Sequence, residues 1–153
     1  MNKVHFHIRI EPFGKQRPRA VKRGNFIQIY TPKETVVYEE ALRTAFKSEL
    51  KEFPVFKKGE PLKATMEFAF TVPKSYTKKL TAKCINGEHA HTVKPDVDNC
   101  VKAVMDAANK IIWDDDNSVK QIIASKCWAK DEPYVDVIVE RSKDNGKDNI
   151  TKD

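Results

Sequence analysis

Two aspartates one residue apart, Asp96 and Asp98, are followed four positions later by Lys102. Beyond a helix-length segment comes the run Asp114, Asp115, Asp116. Residues i and i+2 of an extended segment point the same way, so Asp96 and Asp98 can present two carboxylates to one point. Asp116 can join them if the strand after the intervening helix begins beside the segment before it. Three carboxylates from two loops repel one another unless a cation sits among them. Hard oxygen donors of this kind suit Mg²⁺ or Mn²⁺, which keep several waters and meet a substrate phosphate. Lys102 lies one helical turn beyond Asp98, roughly 6 Å along the axis. It either forms an i,i+4 ladder with Asp98 and Asp106, or holds the scissile phosphate, orients the attacking water, or stabilises transition-state charge. Carboxylates with one lysine are what metal-assisted phosphodiester hydrolysis requires. Taken separately, Asp-x-Asp before a helix is an ordinary capping pattern, and an aspartate run before a strand is an ordinary turn.

The acids stand out because the chain is basic. Its 28 Lys and Arg against 22 Asp and Glu leave a formal charge of +6, which suits a polyanionic partner such as nucleic acid. Between Pro12 and Lys33 lie six cations, Lys15, Arg17, Arg19, Lys22, Arg23 and Lys33, and no acid. The first five form a loop suited to backbone phosphates, and "PKSYTKKLTAK" adds a second basic run. Both would offset the acids, which alone would repel a polyanion. Cys84, His89 and His91 suggest a zinc pattern but lack a fourth ligand at suitable spacing; His91, near Asp96, would be exposed or touch phosphate. Three cysteines without a CxxC pair fit reduced thiols.

The elements that must position these residues follow from periodicity. "VHFHIRIE" alternates as a half-buried strand. "PFGKQRPRAVKRGN" reads as loop and "FIQIY" as a second strand, the two strands forming a hairpin across a long basic connection. A helix is expected from about residue 32 to 51, with Thr31 and Glu34 as a capping box and Pro32 at its first position. "LKATMEFAFTV" alternates, a short helix is expected around 76–84, and the Asp98 helix places Val101, Val104 and Met105 inward. "SVKQIIASKCWAK" and "PYVDVIVE" close the order as two strands. The sum is an α+β single domain over 1–141, a mixed β-sheet with helices on one face. Residues 142–153, which lack apolar content, are expected to be disordered. No apolar run reaches the roughly 20 residues of a membrane helix, and the N-terminus shows no signal-peptide pattern. A cytoplasmic location is therefore expected.

The stretch "KPDVDNCVKAVMDAANKIIWDDDNSV", residues 94–119, is similar to the RusA family of Holliday-junction resolvases of bacteria and phages. "GKQRPRA" and "YTPKET" nearer the N-terminus support this, and the order of elements extends the resemblance over most of 1–141. The resemblance implies a homodimeric, Mg²⁺-dependent endonuclease that cuts four-way DNA junctions by paired symmetric incisions. Asp96 and Asp98 match the family's paired aspartates and Lys102 its lysine. Asp116 matches the aspartate after the helix, and the run of three leaves Asp115 as an alternative or assistant. Cys100 stands where the family often has leucine, a difference expected to affect packing. From the residues alone, a non-catalytic DNA-binding module and a metal-dependent hydrolase of RNA or nucleotides are the competing readings.

Overall fold

The computed structural model of the chain describes residues 2–143. Residues 144–153, most of the expected disordered tail, lie outside the described residues. Ser142, at the start of that expected tail, donates its backbone N–H to the Pro61 carbonyl at 2.8 Å.

A four-stranded mixed sheet has the order β1-β6-β4-β5. β1 (Lys3–Ile8), β6 (Tyr134–Arg141) and β4 (Leu62–Phe70) pair antiparallel, and β5 (Val119–Trp128) runs parallel to β4. Alternation sorts the strands' side chains. Val4 and Phe6, Val135, Val137 and Val139, and Leu62, Ala64, Met66 and Phe68 are buried on one face. That face is covered by α1 (Lys33–Ser48), through Tyr38, Leu42 and Phe46, and by α3 (Val97–Ala108), through Cys100, Ala103, Val104, Ala107 and Ala108. The small residues of α3 let the helix approach closely. Each fully buried Leu or Phe contributes about 1.5–3 kcal/mol, so this face fixes the site's scaffold. α2 (Lys78–Ile85) starts at Thr77, whose Oγ1 accepts from the Leu80 N–H at 3.2 Å.

Three local expectations are corrected. The first strand does not pair with "FIQIY"; β1 pairs with β6, Phe6 facing Val137. β3 (Phe26–Tyr30) instead pairs with β2 (Arg19–Arg23), a strand inside the stretch expected to be loop. β2 escapes the alternation test because neither face of this ribbon is buried. The α1 N-cap is Pro32, without a side-chain capping bond; Thr31 lies one residue too early to act as the cap.

Candidate active site

α3 begins two residues earlier than a cap at Asp98 would place it. Asp96 is the N-cap, with φ −66° and ψ 147°, and its carbonyl accepts from Cys100 N–H at 3.2 Å. Asp98 therefore lies inside the first helical turn rather than in an extended segment. The two acids do not share the i, i+2 geometry expected of them. Both are exposed at the positive end of the helix dipole. Neither carboxylate makes a hydrogen bond or ion pair with another described residue. Both act on Cys100 beneath them: burial first, then the Asp98 and Asp96 charges, push its thiol up to about 11 against the opposing pull of Lys126.

Further along the same helix face Lys102 donates to Asp106 Oδ1 at 3.4 Å, so half of the expected ladder is formed. Lys102 remains 59% exposed. The other Asp106 oxygen is taken by Lys15, which also donates to Glu39 Oε1 of α1 at 3.0 Å. Burial alone would lower the Lys15 pKa; hydrogen bonds and charge from Asp106 and Glu39 outweigh it and raise it above the ordinary 10.5. Lys15 is thus drawn into the α1–α3 seam, away from the exposed role expected of it. The backbone explains why. Lys15 N–H donates to the Asn99 carbonyl at 3.0 Å, and Gln16 N–H to Thr35 Oγ1 at 3.3 Å. Gly14 lies so close to Pro95 that a methyl group there would overlap the proline ring. Arg17, Arg19, Lys22 and Arg23 stay on the outside, Arg17 partway along the connection and the other three on β2.

The aspartate run is held by what precedes it. Trp113 is fully buried, and its Nε1 donates to Asn109 Oδ1 at 2.8 Å. Phe56 N–H donates to the Ile112 carbonyl at 3.0 Å, stapling this segment to the chain after α1. Asp114 turns away to Lys110 at 2.8 Å. Asp115 caps a 3-10 turn, Asp116–Ser118, accepting from Asn117 N–H at 3.0 Å. That bond, with a second from Asp116, lowers the Asp115 pKa. The Asp116 pKa is raised by partial burial, then by Asp115 and the Asp106 charge, with Lys102 opposing. Asp116 therefore stands within electrostatic reach of the Lys102–Asp106 pair, and Asp115 serves as the cap of its turn.

The structure sets Asp96 and Asp98 at the start of α3 and packs the turn that carries Asp116 against the same helix. Among the described residues no three His, Cys, Asp or Glu side chains converge closely enough to hold a metal ion. The donors nevertheless fit a hard divalent cation chemically: Asp96 and Asp98 are carboxylates without side-chain partners among the described residues, and Asp116 adds a third oxygen donor on a turn packed against α3.

Lys126 was missed by sequence reasoning. From β5 it donates to the carbonyls of Val93 and Pro95 at 2.8 and 2.9 Å. It thereby fixes the segment that delivers Asp96. A lysine among small and apolar strand residues was its one signal, and that pattern does not reveal which carbonyls it reaches. His91 is buried rather than exposed, its ring packed at a tilt between Phe70 and Trp128, with centroids 4.3 and 4.2 Å away. Burial and the Lys126 charge lower its pKa.

A mixed α+β domain with a carboxylate-and-lysine helix face and a separate exposed basic strand has the makings of a nucleic-acid-cleaving enzyme. Residues 9–140 match the family of endodeoxyribonuclease RusA. The chain belongs to the RusA family of endodeoxyribonucleases, which act on Holliday junctions. It is also 29% identical over 141 residues to the uncharacterized protein YqaN of Bacillus subtilis (strain 168), covering 91% of this chain and 96% of that protein. Among the described residues no helix is long and apolar enough to cross a membrane.

Proposed function

We propose that this protein resolves four-way DNA junctions by paired, symmetric phosphodiester cleavage, acting as a homodimer with Mg²⁺, for which Mn²⁺ can substitute. Family membership supports the class of reaction. The assignment of residues rests on one observation: the α3 face, with Asp98 one turn before Lys102 and the turn that carries Asp116 packed against the same helix. Asp96, Asp98 and Asp116 would hold the cation, with Asp115 fixing the turn that carries Asp116. When bound, the cation supplies Lewis-acid charge at the scissile phosphate. Lys102 donates to a phosphate oxygen where negative charge develops, and Asp106 restrains its ammonium. A carboxylate oxygen of the Asp96–Asp98 pair that is not engaged by the cation accepts the proton of the attacking water. Arg17, Arg19, Lys22 and Arg23 hold the DNA backbone, while Lys15 keeps the connection seated on α1 and α3. A C₂ dimer presents two such sites to the two strands of a symmetric junction.

Cleavage of a synthetic four-way junction, a linear duplex and a single strand, with Mg²⁺ and with EDTA, tests this. Symmetric nicks confined to the junction, lost in EDTA and in Asp98→Asn while binding persists, are the expected result. Tight binding without metal-dependent cutting by the unaltered protein would overturn it, as would cutting of RNA or nucleotides in preference to junctions.

A further inference from the structure

The β2–β3 ribbon is a projecting arm that contributes nothing to the core. It pairs only with itself. Every residue of β3 is exposed, including Phe26 at 64%, Ile27 at 68% and Ile29 at 71%. A two-stranded hairpin alone is marginal in water, and contiguous exposed apolar surface marks a place of contact. The register sorts the side chains. Arg19 lies opposite Tyr30, Val21 opposite Gln28, and Arg23 opposite Phe26. Residues directly opposite share a face, so one face pairs each arginine with a ring. Ala20, Lys22, Ile27 and Ile29 form the other. Arg19 and Arg23 are four residues apart on one strand, about 13 Å. Phe26 sits at the tip, just after the turn at Gly24, whose φ of +61° suits glycine.

Charge indicates what this face meets. No acid occurs between Pro12 and Lys33, so a second arm, equally cationic, would be repelled. A polyanion would be attracted, and the rings ask for more than phosphate: they need a flat apolar surface to cover them. Bases supply that surface only where stacking is interrupted, because a continuous duplex covers its own base faces. Aromatic stacking on open bases is tolerant of sequence, and apolar side chains are used elsewhere as wedges at disrupted base steps.

We propose that the Arg–aromatic face of this arm is a branch-point reader: Phe26 and Tyr30 cover bases unstacked at a DNA junction while Arg19 and Arg23 hold the flanking phosphates. This rests on the junction-cutting reading above and assigns its structural selectivity to residues other than the acids.

The test measures binding in EDTA, where cutting cannot intrude, to a four-way junction carrying 2-aminopurine at the branch point and to a linear duplex of the same sequence. The unaltered protein should raise the probe's fluorescence on the junction. Phe26→Ala with Tyr30→Ala, at exposed positions, should keep the circular dichroism spectrum. The double variant should lose the fluorescence rise and lose junction affinity by roughly tenfold or more, the scale of one to two stacked bases, with duplex affinity nearly unchanged. Unchanged junction affinity and fluorescence in the double variant would overturn the proposal. So would an equal loss on junction and duplex, or a loss confined to Ile27→Ser with Ile29→Ser and accompanied by slower sedimentation, which would make the arm an interface between copies. An unaltered protein that neither prefers nor cuts junctions would instead sink the functional reading itself.

Discussion

Lys15 and Arg23 belong to one basic run, eight positions apart, and have opposite fates. Lys15 is drawn into the seam between α1 and α3, where it joins Glu39 and Asp106. Arg23 stands at the end of an arm that touches no core. Composition made them equivalent; the backbone separated them. Where Gly14 packs on Pro95 and Lys15 is tied to Asn99, the run becomes part of the scaffold under the acids. Where it pairs only with β3, it remains available to a partner. A basic segment is therefore informative about binding only after the cations neutralised within the fold have been set aside.

Lys126→Met should separate scaffold from surface with the largest effect. It removes both bonds to the Val93 and Pro95 carbonyls, and charge-assisted hydrogen bonds of this kind contribute about 1.5–3 kcal/mol each before non-additivity. A stability loss of about 2–3 kcal/mol by urea unfolding and at least a roughly tenfold fall in cleavage are expected. A variant of full stability and activity would show that Lys126 does not position Asp96. Lys15→Met comes next. It leaves Glu39 and Asp106 together without their shared cation, and because the site is partly open to water the loss is about 1–2 kcal/mol, or roughly 2–8 °C in Tm for a chain of this size. Because the folded Lys15 pKa is raised, its stabilisation is fully present below the ordinary 10.5 and lost as pH rises through the folded value. The two proteins' stabilities should converge only at strongly alkaline pH; a difference that vanishes near neutrality would contradict the ion-pair account. Arg23→Ala should be the mildest for folding, within ~0.5 kcal/mol of the unaltered protein. It should nonetheless weaken DNA binding and reduce the salt slope by about 1. If Lys15→Met and Arg23→Ala produced the same pattern, the contrast between the two ends of the run would fail.

Local pattern carried much of this architecture. The alternation in Val4, Phe6 and Ile8 and in Leu62 through Phe70, and the helical spacing of Val101, Val104 and Met105, each gave the element found there. What pattern could not carry was partnership across the chain. β1 pairs with β6, joining residues more than 120 positions apart, and no local spacing encodes that choice. Lys15 meets Asp106 across 91 positions for the same reason. At the site, the Lys102–Asp106 contact was legible because i,i+4 neighbours must meet on a helix. The start of α3 was misplaced because Asp96 and Asp98 are both good helix-end residues, and only the observed helical bond to the Asp96 carbonyl distinguishes cap from first turn.

The central claim is that Asp96, Asp98 and Asp116 share a cation. Crystals of the protein grown or soaked with Mn²⁺, examined by anomalous diffraction, test it most directly. The account predicts an ion bound by oxygens of all three aspartates, with Asp115 remaining on its turn as the cap. A fully occupied ion elsewhere with these three carboxylates bare, or an ion held without Asp116, would contradict it.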